Sequence, residues 1–378
     1  MFKYLFAFSL FILLIYISLR DKVYNNQIIL FGASVPQTGI MKAWGSAVYS
    51  GASSYFFHVN DNNLLKNKKI QLITYDDKYE PELTKENLNQ LIEEDDVFSL
   101  FGFVGTPTVK SILPILEKEN IPFIAPFTGA SFLRDEYKTN IVNYRASYKE
   151  EIENLVQYLY KKKKISKIAV FYQNDDYGEE GYISLLEALE KRKLKLNSEG
   201  TYKRNTLSIK HAFYEIKKGK PEAIIMVGAY KANALFIKKA KNDPIFKDTI
   251  FCNISFGDAN EMIKELNYES ENLLFSSVVP YYESANISVI NEYKKLMMKY
   301  FPKQDLGFVS LESFLAAKAI VQALQNINGS LTRTSFLEQL KNLPKGFLNG
   351  LPSDYKDTQV QNNLYLYEYK NNNFKEIQ

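Results

Sequence analysis

From Gln27 onward, short apolar runs alternate with amphipathic segments, and this alternation is the main structural signal of the chain. Strands are predicted first at Ile28–Phe31, Lys69–Tyr75, Phe98–Phe103 and Ile121–Ala125, and helices at Ala47–Val59, Leu83–Ile92 and Pro107–Glu119. The helix at Leu83–Ile92 shows the apolar spacing of one buried helical face. Strands and helices in this order predict a mostly parallel sheet with helices on both of its faces.

The same order restarts near residue 150, which predicts a second α/β half. Helices are predicted at Glu150–Tyr160, Gly181–Lys191 and Ala232–Lys241, and strands at Lys167–Tyr172, Ala223–Val227, Thr249–Ile254 and Leu273–Val279. Helices return at Asn291–Tyr300 and Ser310–Asn326, and the tail predicts a hairpin of Leu364–Tyr369 and Phe374–Ile377. The 378 residues are enough for two domains of ordinary size.

The N-terminus carries a different pattern. Lys3 precedes Tyr4–Leu19, sixteen residues without a charge, as in an export signal. The run is short for a spanning helix, which needs about 20 residues. No small-x-small cleavage site follows it, so a cleaved signal, an uncleaved anchor and a buried helix all stay open. A cleaved signal or an uncleaved anchor would place the rest of the chain on the outer side of a membrane.

The composition of the chain argues against several classes of function. Apolar residues make up 46% of the chain, which indicates a globular protein, and the net charge of +4 is too small to indicate a nucleic-acid partner. Cys252 is the only cysteine, so no intramolecular disulfide can form, and its apolar surroundings predict a buried thiol. With only His58 and His211, a histidine-based catalytic triad or a zinc site is disfavoured.

The stretch SLFGFVGTPTVKSILP, residues 99–114, offers a candidate site. A buried strand ends there on Gly-Thr-Pro, Thr106 suits the N-cap of the next helix, and Pro107 suits its first position. A helix start beyond a strand's carboxyl end can hold an anion, although an ordinary strand-to-helix turn has the same pattern. Other strand ends carry small, hydroxyl or aromatic residues, namely Thr128, Gly129, Tyr177, Tyr230 and Ser255. If the strand ends of the two predicted halves face each other, they would form a cleft for a small ligand.

Several short motifs in a specific order together resemble a known family. They are GASVPQTGIMKAWG, YDDKYEP, FGFVGTPT, IPFIAPFTGASFLR, NYRASYKEE, IAVFYQNDDYGEEG and SSVVPYYE. From about Gln27 to the C-terminus, the chain resembles the periplasmic solute-binding proteins of branched-chain amino-acid ABC transporters. The resemblance implies the type I periplasmic-binding fold, an α/β fold of two doubly wound lobes joined by a three-strand hinge with the ligand cleft between them.

The resemblance also implies domain boundaries and site residues. Residues 1–22 would be the export signal or anchor, 23–145 and 279–350 the first lobe, and 146–278 and 351–378 the second lobe. In this family the ligand carboxylate meets the first lobe, and the ammonium meets an acid of the second lobe. The implied ligand contacts are Thr106, Thr128 and Gly129 for the carboxylate, Trp44 for the side chain, and Tyr177 and Tyr230 from the second lobe.

One departure from the family pattern concerns the ammonium. Ser255 stands where the acidic partner is expected. A buried ammonium without an acid is strongly unfavourable. Either another carboxylate replaces the missing one, with Asp258, Asp175 and Asp176 as candidates, or the ligand has no ammonium.

The function implied is that of a periplasmic, monomeric receptor that is not an enzyme. It would close on a small polar solute, an amino acid or a related carboxylate or amide, and deliver it to the permease of an ABC importer. No cofactor, metal or nucleic acid is expected, and only the N-terminal segment would contact the membrane. A membrane-anchored sensor of the same fold is the alternative. An enzyme is disfavoured because FGFVG is not G-x-G-x-x-G and no phosphate-binding P-loop occurs.

Overall fold

Two sheets flanked by helices form the framework of the computed structural model, which describes residues 21–268, 271–356, 358–360 and 363–377. The first sheet has five strands in the order β2-β1-β3-β4-β5, all parallel. They are β1 (Ile28–Val35), β2 (Lys69–Asp76), β3 (Ser99–Phe101), β4 (Phe123–Ile124) and β5 (Ile141–Val142).

The second sheet has seven strands in the order β12-β11-β10-β9-β8-β6-β7. They are β6 (Ile168–Gln173), β7 (Glu199–Tyr202), β8 (Ala223–Val227), β9 (Ile250–Asn253), β10 (Leu273–Ser277), β11 (Tyr365–Lys370) and β12 (Asn373–Glu376). Strands β6 to β10 are parallel, and β8 is buried along its whole length because helices cover both faces. The predicted hairpin is confirmed: β11 and β12 pair antiparallel and turn at Asn371 and Asn372, which both have positive φ.

The helices in chain order alternate with these strands. They are α1 (Lys42–Asp61), α2 (Pro81–Glu93), α3 (Thr106–Glu119), α4 (Tyr148–Tyr158), α5 (Asp176–Glu190), α6 (Lys210–Gly219), α7 (Tyr230–Lys241), α8 (Ala259–Glu265), α9 (Ser288–Tyr300), α10 (Phe308–Asn326) and α11 (Arg333–Lys341). Helix α4 begins with a capping box, in which Ser147 and Glu150 satisfy each other's backbone N–H groups.

The chain passes from one sheet to the other three times: from β5 to α4, from β10 to α9, and from α11 to β11. Helices α9 and α10 return to the first sheet and pack against α1. The contact of α10 with α1 is close, because a Cβ added to Gly51 would lie 2.2 Å from the carbonyl oxygen of Ser310. This packing supports the lobe boundaries stated above, which we keep as a proposal.

Some element boundaries differ from the predicted ones. β1 continues to Val35, through residues predicted as a loop, because it pairs with β2 over eight residues. Helix α1 begins at Lys42 and not at Ala47, so Trp44 lies on a helix. The N-cap of α3 is Gly105, with φ of 105°, and Thr106 is the first helical residue. The prediction that the Thr106 hydroxyl caps the helix is therefore wrong, and that hydroxyl is available for other contacts.

Further elements carried too weak a pattern to be predicted. They are β5, β7, α6, α8 and α11. The predicted burial of Cys252 is confirmed, and burial raises the pKa of its thiol. The export signal or anchor predicted within residues 1–20 lies outside the described residues. Across the part of the chain that the structure describes, every helix is too short or too polar to cross a membrane.

Candidate ligand-binding site

Two buried threonine hydroxyls lie side by side at the carboxyl ends of the first sheet's strands. Thr106 begins α3, Thr128 follows β4, and their Oγ1 atoms are 2.7 Å apart. Neither side chain is exposed to solvent. The residue before Thr106 must be glycine, because a Cβ at position 105 would lie 2.2 Å from the ring of Tyr79. The two hydroxyls and the open N–H groups of α3 form a place where a carboxylate can bind.

The second lobe faces this pair with Tyr148, the first residue of α4. Its buried hydroxyl lies next to both threonine hydroxyls and makes no well-aligned hydrogen bond. The Tyr148 amide donates to the carbonyl of Gly129 over 2.9 Å. A Cβ on Gly129 would lie 2.6 Å from that amide nitrogen. Gly129 therefore allows the second lobe to approach, a packing role that the sequence did not reveal.

The side chain of Phe256 occupies the space between the two lobes. It follows β9, is fully buried, and lies inside a cage of four aromatic rings. Trp44 stacks on it with ring centroids 4.8 Å apart, and Tyr177 meets it edge-on at 4.7 Å. Tyr79 and Tyr148 complete the cage. Phe256 thus lies between Trp44 and Tyr177, two of the three aromatic residues that the resemblance places against the ligand.

A cluster of buried charges lies beside this cage. Arg145 Nε is 3.1 Å from a carboxylate oxygen of Glu312, and Arg145 Nη2 donates to the Ser255 hydroxyl over 2.6 Å. The Ser255 hydroxyl and amide donate to the two oxygens of Glu151 over 2.7 and 2.8 Å. Burial raises the pKa of Glu151, and Arg145 and Ser255 oppose that rise. Burial raises the pKa of Glu312 to about 7, although Arg145 again opposes it.

Asp258 and Tyr230 lie apart from this inner site. Asp258 lines a cavity of about 380 Å³ between α1, α8 and the segment before α10. It has φ of 47° and caps α8, and burial raises its pKa to about 7. The hydroxyl of Tyr230 meets the backbone of Ala43 on the first lobe. Asp258 therefore borders an outer cavity between the lobes, and Tyr230 contacts Ala43, which also lines that cavity.

The two remaining candidate acids also have partners elsewhere. Asp175 accepts from the side chain of Gln173 over 2.7 Å and from the amide of Tyr177 over 3.1 Å. Asp176 pairs with Lys110 of the other lobe over 2.5 Å at the surface. The structure therefore directs neither carboxylate to the threonine pair.

Six of the eight predicted residues meet in one inner site: Trp44, Thr106, Thr128, Gly129, Tyr177 and Ser255. The sequence did not single out Phe256, Tyr148, Arg145, Glu151, Glu312 or Tyr79. Tyr148, Arg145 and Glu151 stand in the motif NYRASYKEE, which marked the region without assigning roles. Phe256 directly follows Ser255, so only its position beside a predicted residue could have indicated it.

The two lobes are closed on each other. Besides Lys110 and Asp176, Arg204 pairs with Glu80 over 3.0 Å across the cleft. On another side, Lys264 pairs with Asp305 over 2.8 Å. Two α/β lobes that meet over a buried cleft at their strand ends define a receptor of the class that closes around a small ligand.

Comparisons with known proteins agree with this class. The family model described as periplasmic binding protein matches residues 29–374. A solved structure of a possible leucine/isoleucine/valine-binding protein from Rhodopirellula baltica is 30% identical, with a TM-score of 0.88 over 93% of this chain and 96% of that one. A substrate-binding periplasmic protein from Ralstonia solanacearum is 23% identical, with a TM-score of 0.84 over 90% of this chain and 97% of that one.

A curated relative, Leu/Ile/Val-binding protein homolog 3 of Brucella melitensis, is 25% identical over 150 residues. That alignment covers 40% of this chain and 40% of the relative's length. The chain belongs to the periplasmic binding protein family, of the Leu/Ile/Val-binding type. The predicted family and fold class, two α/β lobes of the type I periplasmic-binding fold, are confirmed.

Proposed function

We propose that this protein is an extracytoplasmic receptor that captures a small carboxylate or amide, such as an amino acid or a related compound, and delivers it to the permease of an ABC importer. The observation that carries the proposal is the pair of buried hydroxyls of Thr106 and Thr128 at the start of α3, faced by Tyr148 from the other lobe. Donors from both lobes meet there, so a bound carboxylate would favour the closed form.

The closed form would be the signal read by the permease. Surface pairs such as Lys110 and Asp176 hold the lobes together only weakly, because exposed ion pairs contribute less than about 1 kcal/mol each. The bound solute would then add the stabilisation that commits the lobes to closure. In this proposal the receptor acts as a monomer and performs binding, not catalysis.

The second candidate is a membrane-anchored sensor that uses the same cleft. Its support is the uncharged run Tyr4–Leu19, which lacks a clear cleavage site. Cell fractionation separates the two candidates. A transport receptor of a two-membrane cell is released with the soluble periplasmic fraction, whereas an anchored sensor stays with the membranes.

The binding proposal is tested by titrating the purified protein with amino acids, their 2-oxo acids, dicarboxylates and amides. Trp44 is the only tryptophan and lies in the cleft, so its fluorescence reports binding directly. A saturable change with a matching rise in melting temperature supports the receptor. The absence of saturation and of thermal shift with every compound would refute the assignment to this solute class.

A matched pair of variants locates the carboxylate. Thr106→Val keeps the shape of the side chain and removes the hydroxyl, so affinity should fall about 10- to 100-fold, since one hydrogen bond to a charged group contributes about 1.5–3 kcal/mol. Thr108→Val is the control, because the Thr108 hydroxyl donates to backbone carbonyls of its own turn. It should lower the melting temperature without a comparable loss of affinity. Equal losses of affinity in both variants would contradict the placement.

A further inference from the structure

The inner site holds a buried cation with an unused donor. Arg145 is 1% exposed, and its Nη1 has no hydrogen-bond partner among the described residues. The guanidinium carbon lies 6.0 Å from the ring of Trp44, and its charge acts on the hydroxyl of Tyr148. An unpaired N–H on a buried guanidinium is costly, so this side of the cleft requires an acceptor.

Other buried atoms around the cage that have no partner among the described residues can also donate. Trp44 Nε1 is buried without a partner and can only donate. The hydroxyls of Tyr148 and Tyr177 are also buried without a well-aligned hydrogen bond, and both rings pack against Phe256. The unfilled polar positions around the ring of Phe256 are therefore suited to a ligand rich in acceptors.

The acids near the cleft are already engaged. Glu151 receives the amide and hydroxyl of Ser255, and Glu312 pairs with Arg145. The Ser255 hydroxyl, which stands where the family's acid is expected, accepts from Arg145. An ammonium placed there would face a guanidinium and would find no unpaired carboxylate among the residues that the structure describes.

The charges around Arg145 limit the charge that a second polar group of the ligand, besides its carboxylate, can carry. Arg145 has two carboxylates around it, Glu312 directly and Glu151 through Ser255. The charge of Arg145 is thus already matched by carboxylates of the protein, and a second charged group on the ligand, of either sign, would enter a buried place without an unpaired counter-ion. A neutral acceptor, such as a carbonyl oxygen, meets the free N–H without that cost.

We infer that the ligand is a carboxylic acid that carries a neutral carbonyl or amide acceptor and no ammonium. Its carboxylate meets Thr106 and Thr128, its acceptor meets Arg145 Nη1, and its apolar part takes the room now filled by the ring of Phe256. This inference rests on the proposed function and names the solute class for the same site.

The first test compares ligands that differ at a single group. Leucine is titrated against 4-methyl-2-oxopentanoate, and phenylalanine is titrated against phenylpyruvate. We expect the 2-oxo acid of the best pair to bind at least tenfold more tightly than its amino acid. Equal or tighter binding of the amino acid overturns the inference and leaves the receptor proposal standing. The absence of saturable binding in both series overturns the inference and counts against the receptor for small carboxylates.

The second test assigns the acceptor to Arg145. Arg145→Lys keeps the positive charge and removes the planar set of donors, so the preference for the 2-oxo acid should shrink at least tenfold. Arg333→Lys is the matched control, because Arg333 binds the backbone carbonyls of Val97 and Phe98 on the far side of the first lobe. An unchanged preference in Arg145→Lys would overturn the assignment of the ligand's acceptor to Arg145. The ligand-pair comparison on the unmodified protein decides the solute class even if Arg145→Lys does not fold.

Discussion

Phe256 links the two lobes, and its removal should open the cleft. The ring is fully buried, with Trp44 and Tyr79 packed against it from the first lobe and Tyr148 and Tyr177 from the second. A phenylalanine buries about 200 Å² in all. If half of that area faces the first lobe, closure buries ~100 Å² there, which at ~25 cal/mol per Å² is ~2.5 kcal/mol. Phe256→Ala should therefore shift the equilibrium toward the open form roughly 60-fold.

The shift can be measured in solution without a ligand. Small-angle X-ray scattering should give a larger radius of gyration for Phe256→Ala than for the parent protein. The emission of Trp44 should move to longer wavelength, because the indole loses its stacked partner and meets water. The control is Phe236→Ala, since Phe236 is equally buried and packs against Phe171, Phe213 and Phe246 within the second lobe.

The two variants should behave differently. Each loses a buried ring, which costs about 3–5 kcal/mol of stability. Only Phe256→Ala should open the cleft, and only it should free the room that the inferred ligand's apolar part would take. A radius of gyration and Trp44 emission in Phe256→Ala that match the parent protein would refute the view that this ring holds the lobes together.

Three further predictions concern titration, backbone approach and surface charge. Burial raises the pKa of Asp258 to about 7, so the folded protein holds that proton more tightly than the unfolded chain, and the unfolding free energy should fall as pH rises from about 4 to about 8. Asp258→Asn, which can still cap α8, should flatten that slope in urea titrations at pH 5 and pH 8; an unchanged slope would contradict it. Gly129→Ala should lower the free energy of unfolding by ~1–3 kcal/mol and weaken ligand binding, because its Cβ would press on the Tyr148 amide. Unchanged stability in calorimetry and unchanged affinity in titration would show that this contact is unimportant. Asp176→Asn should change closure by less than about 1 kcal/mol, and a large change in scattering would show that the exposed pair with Lys110 is stronger than its exposure implies.

The alternation of apolar runs was sufficient to predict the class of fold. Ala223–Val227 was predicted with the bounds that the structure shows, because a short, fully buried strand is a continuous apolar run. β4 (Phe123–Ile124) lies within the predicted strand Ile121–Ala125, whereas β5 has only two residues, which is too few to show any period. Helix α1 starts before its apolar stripe, because its first turn packs tightly on the loop after β1, where a Cβ on Gly45 would lie 2.2 Å from the carbonyl of Pro36.

The site was predictable only in part, for a physical reason. Thr106 follows from local chemistry, since a hydroxyl at a strand end beside a helix start is visible in the sequence. Phe256 and Arg145 acquire their roles only when the lobes meet: Phe256 is caged by rings from both lobes, and Arg145 donates to Ser255 of the second lobe, far along the chain. Contacts made by lobe closure leave no local period or spacing in the sequence.

The serine at position 255 shows how the structure changes the meaning of a departure from a family pattern. In the sequence it reads as the loss of an acid, which leaves an ammonium without a partner. In the structure its hydroxyl accepts a hydrogen bond from Arg145 and donates one to Glu151. The Glu151 carboxylate therefore pairs, through Ser255, with a cation of the protein itself. An acid is thus present next to Ser255, and the Arg145 guanidinium binds the same hydroxyl. That exchange alters which ligands can be held: a donor at this end of the site suits a carbonyl oxygen and repels an ammonium.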